Sequence, residues 1–473
     1  MASAVRSLCN NCRVADLYRP LLAHVLYPAW ELAQRRPTLH YLAFLNESQW
    51  WSRDRLQDWQ TGQLRRLVRH AYAHTPYYRE TFDQIGLRPN DIVALEDLQR
   101  IPLLTRERVQ ASAQTRRSTA PPFPTIVKNS SGTTGAPTEV AYDRNSQDWR
   151  DAVRWRGYGW AGYQIGDRAL HYWGAGAPPA SRRQRYKIAL DRKLRRNLYI
   201  DSSLRTPENM RATLAALMRY RPHVIVAFTQ AIAALARFVQ SENLRMWDDV
   251  PVIVGAERLW PHDREAITAA FGPVFETYGS REVMLMGAEC EAHEGMHLSM
   301  ETQILELVVT QPDGSHRQAA PGEIGEVAVT DLQNLGGPLV RYLTGDRAVA
   351  RAPSVCPCGR ALDRIGPIEG RTLEMLYDAQ GNEASGILVS IMFLALTPYA
   401  TGFQVIQRRN RDIVVHVVPR QATFPPEAEA ITRTHLAKYL PGVPVTIVPV
   451  AEIPLTRGGK LRLVINEGLT PPS

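Results

Sequence analysis

An α/β fold is predicted by three features of this 473-residue chain. Between about residues 125 and 350, short apolar runs alternate with helical segments, the pattern of a largely parallel sheet. A loop rich in glycine and hydroxyl side chains, Asn129-Ser130-Ser131-Gly132-Thr133-Thr134-Gly135-Ala136-Pro137-Thr138, sits between two strand-like stretches. After about Ile368 the pattern turns into a smaller α+β unit. The chain thus divides into an N-terminal helical part of a large domain (1–90), the body of that domain (91–370) and a small C-terminal domain (371–473).

Taken in order, the first part reads as helical. Leu64 to Tyr72 carries apolar residues at helical spacing, and Pro76 breaks the run. Asp91 to Leu98 leads into a proline-marked turn, Ile101-Pro102-Leu103-Leu104-Thr105. Ile126-Val127 and Val140-Ala141-Tyr142 flank the glycine-rich loop, giving strand, loop, strand. Glycines let backbone N–H groups approach an anion closely and hydroxyls add donors, so the loop suits a polyphosphate. It is not a Walker A loop, because no lysine follows Gly135. Val224 to Phe228 and Val252 to Val254 read as buried strands, Met210 to Tyr220 and Gln230 to Val239 as helices. Gly322 to Val329 and Glu374 to Tyr377 are more β-like. Strands at Ile413 to Val418 and Val445 to Val448 enclose a helix at Glu427 to Leu440, and a basic loop, Leu455 to Lys460, closes the small unit.

With 44% hydrophobic and 22% charged residues, the composition is that of an ordinary globular protein. No apolar run reaches the ~18–20 residues of a membrane span, and Met1 to Arg13 lacks the apolar core of a secretory signal. A cytoplasmic enzyme is expected. Much of the net charge of +9 lies in Arg182, Arg183, Arg185, Lys187, Arg192, Lys193, Arg195 and Arg196, opposed by Asp191. That run is a solvated helix face or an attractor of phosphorylated or acidic partners. No nucleic-acid module accompanies it, so a nucleic-acid partner is not expected. The odd count of five cysteines argues for thiols or a metal rather than a disulfide framework.

Further signals stand behind the loop in a fixed order: Gly255-Ala256-Glu257, Tyr278-Gly279-Ser280-Arg281-Glu282, Tyr342-Leu343-Thr344-Gly345-Asp346, Gly370-Arg371 and Lys460. With Ala71 to Arg79 and Leu98 to Thr105, this set resembles the adenylate-forming superfamily, and more narrowly the phenylacetate–CoA ligase branch and its capsular-polysaccharide-biosynthesis cousins. The resemblance runs from about residue 60 to the end and implies a large adenylate-forming domain with a small mobile α+β lid. It implies that Ser130, Ser131, Gly132, Thr133, Thr134 and Gly135 grip the phosphates of ATP. Tyr278, with Gly279 and Ser280, would meet adenine, and Gly255, Ala256 and Glu257 would form another pocket wall. Glu282 would help hold Mg²⁺, Asp346 would accept the ribose hydroxyls, Arg371 would lie at the domain junction, and Lys460 would reach the α-phosphate. His171, Trp173 and Gly174 fall where relatives shape the acyl pocket. Ala136 departs from the pattern, which often has lysine there.

Cys356-Pro357-Cys358 is a C-x-C turn, and Cys290 lies upstream with His293 and His297 nearby. Three thiolates and one imidazole make a closed structural zinc site; reduced cysteines that merely pack are the alternative. His297 is the preferred fourth ligand, since it begins a strand-like run and the resemblance puts a histidine there. The resulting expectation is an ATP-dependent, AMP-forming ligase that makes an acyl- or aryl-adenylate and transfers the acyl group to CoA. Transfer to an amine, a hydroxyl or a carrier-protein thiol is the runner-up, and a non-catalytic nucleotide-binding protein the rival of another class. The small-molecule partner is a carboxylic acid, and a homodimer is left open.

Overall fold

The computed structural model describes residues 16–129, 139–173, 181–202, 206–311, 313–371, 376–381, 383–384, 392, 396, 398–421, 423–454 and 462–468. The chain opens with α1 (Tyr18–Leu21), which passes through a π-helical stretch at Leu22–Leu26 into α2 (Tyr27–Ala33), followed by α3 (Thr38–Ser48) and α4 (Arg53–His74). In α4, Leu56, Gln60, Leu64, Leu67, Val68 and Ala71 are buried on one face, and the Ser52 hydroxyl caps the start by accepting the Arg55 N–H. The break expected at Pro76 is real. Thr75 is extended, as a residue before proline prefers, and Pro76 opens α5 (Pro76–Gln84). After α6 (Arg106–Ala111), β1 (Thr125–Asn129) and β2 (Glu139–Asp143) pair antiparallel on either side of the glycine-rich loop, and α7 (Arg144–Trp160) comes next.

The alternation then begins: β3 (Ala169–Trp173), α8 (Arg182–Leu194), β4 (Asn197–Asp201), α9 (Pro207–Tyr220), β5 (Val224–Phe228), α10 (Thr229–Ser241), β6 (Val252–Gly255), α11 (Pro261–Ala270) and β7 (Val274–Ser280). The strands are parallel in the order β4-β3-β5-β6-β7. Every residue of β5 is buried, because α9, α10 and α11 cover one face of the sheet while Trp155 and Tyr158 of α7 pack on the other.

The alternation ends with α11 and β7 rather than near residue 350, because the next strands pair antiparallel. β8 (Met284–Glu289) and β9 (Met296–Leu298) extend the same sheet beyond β7. β10 (Gln303–Thr310), β11 (His316–Gln318), β12 (Ile324–Asp331) and β13 (Tyr342–Val349) build a second sheet, β14 (Arg364–Ile365) returns to β9, and β15 (Ile368–Arg371) closes the second sheet against β13. Here neighbouring strands run antiparallel, so their connections need no crossover helix. The proline-marked segment Ile101–Thr105 lies along this sheet, with Leu104 bridged to Tyr342.

Beyond a short pair, β16 (Leu376–Tyr377) with β17 (Glu383–Ala384), comes a four-stranded sheet of β18 (Ala400–Gln407), β19 (Ile413–Pro419), β20 (Val445–Pro449) and β21 (Val464–Asn466), ordered β20-β19-β18-β21. The helix Pro426–Tyr439 packs on it through Ala428 and Leu436, which meet Phe403, Val405 and Val415 in a core of their own. Among the described residues, no helix is long and apolar enough to cross a membrane.

Candidate functional site

The carboxyl ends of β5, β6 and β7 lie along one edge of the parallel sheet, where open α/β sheets bind ligands. Gly255 ends β6, and a Cβ there would come within 2.6 Å of the Thr277 hydroxyl on the neighbouring strand, so only glycine fits. Ala256 comes next in the left-handed region (φ 68°), a strained conformation for a residue with a side chain. The loop is fastened to the start of α10. Glu257 accepts the Gln230 N–H at 2.9 Å, and the Thr229 hydroxyl donates to the Glu257 carbonyl at 3.0 Å.

Tyr278 and Asp346, 68 residues apart, meet directly. The tyrosine hydroxyl donates to Asp346 Oδ2 at 3.0 Å, and the Asp346 N–H donates to Thr344 Oγ1 at 3.2 Å. Both side chains are buried. Asp346 on β13 pairs in register with Arg371 on β15, which brings that backbone to the same place. Gly279 sits at the irregular end of β7, where a register shift brings it so close to β8 that any Cβ would collide with the Met284 carbonyl. In the turn that follows, the Ser280 hydroxyl accepts the Val283 N–H, and Glu282 is buried. Ser130, Ser131, Gly132, Thr133, Thr134, Gly135, Gly174 and Lys460 lie outside the described residues, as does the Arg371 side chain.

Two contributors at this edge escaped the sequence reading. Arg258, next to Glu257, grips Glu369 of β15 with a fork of hydrogen bonds (2.8 and 3.1 Å), and its guanidinium lies over Trp260. The pair therefore ties the Gly255–Glu257 loop to the strand that carries Arg371. Glu276 precedes Tyr278 by two residues on β7, and its carboxyl is pushed up to about 7 by burial and by Glu289. The period of two from Tyr278 was the signal that could have found it.

On β3, Trp173 stacks on Phe228 at the end of β5, with ring centroids 4.0 Å apart. His171 stacks on Tyr199 at 4.3 Å, and burial pushes its imidazole down to about 4, so it is neutral.

The second constellation is the cysteine cluster. Cys290 follows β8, His297 lies in β9, and Cys356 and Cys358 stand on the turn before β14; their ligand atoms all lie within 4.8 Å of one another. Cys290 Sγ is 3.8 Å from Cys356 Sγ, and Cys358 Sγ is 3.4 Å from His297 Nε2. A tetrahedral zinc with Zn–S bonds near 2.3 Å sets its sulfurs about 3.8 Å apart, so the donor set fits that ion in number, kind and spacing. Nδ1 of His297 faces the Leu362 carbonyl at 3.4 Å, which favours the tautomer that leaves Nε2 free to coordinate. Burial pushes the same imidazole down to about 4. His293 does not join the cluster; it faces Glu289 at 3.3 Å.

Comparison with known proteins decides the family. A phenylacetate–coenzyme A ligase of Escherichia coli (strain K12) is 30% identical over 347 residues, which are 68% of this chain and 72% of that protein. The chain belongs to the phenylacetate–coenzyme A ligase family. A second phenylacetate–coenzyme A ligase, from Thermus thermophilus, is 27% identical over 447 residues, 88% of this chain and 97% of its own length. Among solved structures, a 2-hydroxyisobutyryl-CoA ligase in its postadenylation state shares the fold, with a TM-score of 0.69 at 18% identity over 89% of this chain and 92% of that one. No protein-family model matches the chain.

Proposed function

We infer that the protein is an ATP-dependent, AMP-forming ligase that converts a carboxylic acid into an acyl-adenylate and passes the acyl group to coenzyme A. The observation that carries this reading is the meeting of Tyr278 and Asp346 beside the Gly255–Glu257 loop, in a chain of the phenylacetate–coenzyme A ligase family.

The acid is ionised at neutral pH and needs no general base. Its carboxylate oxygen attacks the α-phosphorus of ATP, an O–P bond forms, and the bond to pyrophosphate breaks. The sulfur of coenzyme A then attacks the acyl carbon, and AMP leaves. The first step brings two anions together, so the site must supply positive charge and oriented donors. In this reading the Ser130–Gly135 loop grips the β- and γ-phosphates, and Lys460 reaches the α-phosphate and the incoming carboxylate. Tyr278 packs against adenine between Gly255–Glu257 and the Gly279–Ser280 turn, and its hydroxyl holds Asp346 ready for the ribose hydroxyls. Glu282 offers the hard oxygen that suits Mg²⁺, whose charge when bound draws electrons from the phosphate. Arg371 marks the junction to a small domain that carries Lys460 away after adenylation and admits coenzyme A. The stacked Trp173–Phe228 pair, with neutral His171 on the same strand, favours an aromatic or apolar acid.

Cys290, His297, Cys356 and Cys358 hold a structural zinc in the same reading, supported by their spacing and burial. Metal analysis of protein purified without chelator tests it: close to one zinc per chain is expected, and a content under ~0.2 would remove the ion from the account.

The function is tested by acid-dependent release of AMP and pyrophosphate over a panel of aryl and aliphatic acids, each with and without coenzyme A. AMP that rises with an acid and again with coenzyme A is the expected result. Pyrophosphate exchange with an acid but indifference to coenzyme A would move the acyl group to an amine, a hydroxyl or a carrier-protein thiol. Nucleotide binding with no acid-dependent turnover would leave a non-catalytic binder.

A further inference from the structure

Two touching helical segments present aliphatic side chains to the outside. Along α1 and α2, Leu17 (75% exposed), Leu21, Val25 and Leu32 (81%) recur at helical spacing on the outer side, while Leu22, Tyr27 and Glu31 turn inward. α8 is stranger still, because none of its residues is buried. On it Tyr186 (73% exposed), Leu190 and Leu194 recur four residues apart among Arg182, Arg183, Arg185, Lys187, Arg192 and Lys193, with Asp191 as the single acid. The segments are joined where α8 ends. The Tyr18 hydroxyl donates to the Leu194 carbonyl at 2.9 Å, Arg195 lies over the Trp30 ring, and Arg196 pairs with Asp16 at 2.6 Å. Arg192 over the Tyr199 ring, 4.0 Å from its centroid, fastens α8 to the sheet edge.

A thirteen-residue helix is marginal in water without a surface to pack on. Among the described residues α8 buries nothing, so its outer side calls for an occupant. The charge selects which one. A second copy of this chain would set the same basic helix against itself. A protein partner is met by an apolar centre depleted of charge with a polar rim, whereas here the aliphatic residues are dispersed among the cations. An exposed helix carrying six cations beside Tyr186, Leu190 and Leu194 suits the interface of an anionic bilayer. There cations meet headgroups on long flexible stems, and apolar side chains reach the boundary beneath them.

We propose that α8, with the outer side of α1–α2, docks the protein peripherally on an anionic lipid surface. The cations meet the headgroups, and Tyr186, Leu190, Leu194 and the outer leucines enter the boundary between headgroups and chains.

Co-sedimentation of the full-length protein with vesicles tests this, using equal parts phosphatidylcholine and phosphatidylglycerol against phosphatidylcholine alone. Binding roughly tenfold stronger on the anionic vesicles is expected, weakening as salt rises. The triple variant Arg183→Glu/Lys187→Glu/Lys193→Glu abolishes the preference, and Leu190→Ser/Leu194→Ser weakens binding about threefold or more. Leu17→Ser/Leu21→Ser/Val25→Ser, on the other segment, weakens it independently should the α8 variants fail to fold. All three retain acid-dependent AMP release when folded. Equal binding to both vesicle types would overturn the proposal. So would loss of binding in the charge variant with full retention in both aliphatic variants, which would mean simple adsorption of a basic protein. Failure to sediment, with a purified acidic acyl carrier protein instead shifting the chain's elution, would make the occupant a protein.

Discussion

At the corner between β7 and β13, Tyr278 and Asp346 satisfy each other through a 3.0 Å hydrogen bond before any ligand arrives. At the turns around β9, three sulfurs and an imidazole nitrogen crowd within 4.8 Å, in burial that pushes the Cys290 thiol up to about 12. The first arrangement is a neutral donor paired with a carboxylate and is complete as protein. The second puts like donors together and, under the zinc reading proposed above, would gain its stability when a cation converts them into ligands. If both proposed roles hold, damage to the Tyr278–Asp346 corner should appear in rates and KM, and damage to the cysteine cluster in stability.

The sharpest way to break this contrast is Lys460→Ala. Adenylate formation should fall on the order of 10²–10³-fold, the usual cost of one preorganised charge, while ATP binding weakens modestly and the melting temperature holds. Equal loss of rate and binding would sink the role given to that lysine. Asp346→Ala comes next, raising KM for ATP roughly 10–100-fold through lost charge-assisted hydrogen bonds, again with little change in melting. On the other side of the comparison, Cys356→Ser should release the metal and lower the melting temperature on the order of 5 °C, with kcat of the folded fraction close to wild type. A kcat loss as large as that of Asp346→Ala would mean that the two regions are not separable.

Smaller effects sharpen the picture. Arg258→Met and Glu369→Gln should each slow turnover about fivefold, the double variant costing no more than either single, since they break one shared fork. Additive losses in a double-mutant cycle would separate the nucleotide loop from the junction strand. A last effect is read in stability rather than rate, a pH dependence at His171, whose imidazole is lowered from near 6.5 to about 4 by burial. Between those values the unfolded chain binds the proton and the folded chain does not. Stability is therefore complete above pH 6.5 and is lost as pH falls toward 4, by up to roughly 3 kcal/mol. His171→Phe should flatten that slope, measured as the difference in melting temperature between pH 7 and pH 5.

Local chemistry was legible from residues alone. Val224 to Phe228 is an unbroken apolar run because a parallel strand is covered on both faces, and Pro76 announced a helix boundary through the restriction it imposes on Thr75. Cys290, Cys356 and Cys358 were nameable as donors from their chemistry, His297 was preferred over His293 for its strand-like run and the family resemblance, and the structure brings the four together. The antiparallel second sheet was harder to read, since apolar runs such as Gln303 to Thr310 and Ile324 to Asp331 do not record whether the neighbouring strand runs parallel or antiparallel. Arg258 was illegible because it carries no motif, and Glu276 was signalled only by its period of two from Tyr278.

By itself, then, the sequence determined the parallel α/β core, the helix break at Pro76 and the set of groups available for chemistry, all of which depend on neighbours a few residues away. Only the tertiary structure decided that Tyr278 bonds Asp346, that Arg258 grips Glu369 and that α8 leaves its leucines outside. Those outcomes arise from sheet order and strand register, where a shift of one residue turns every side chain to the opposite face, and local periodicity carries no record of which distant strand will be the neighbour.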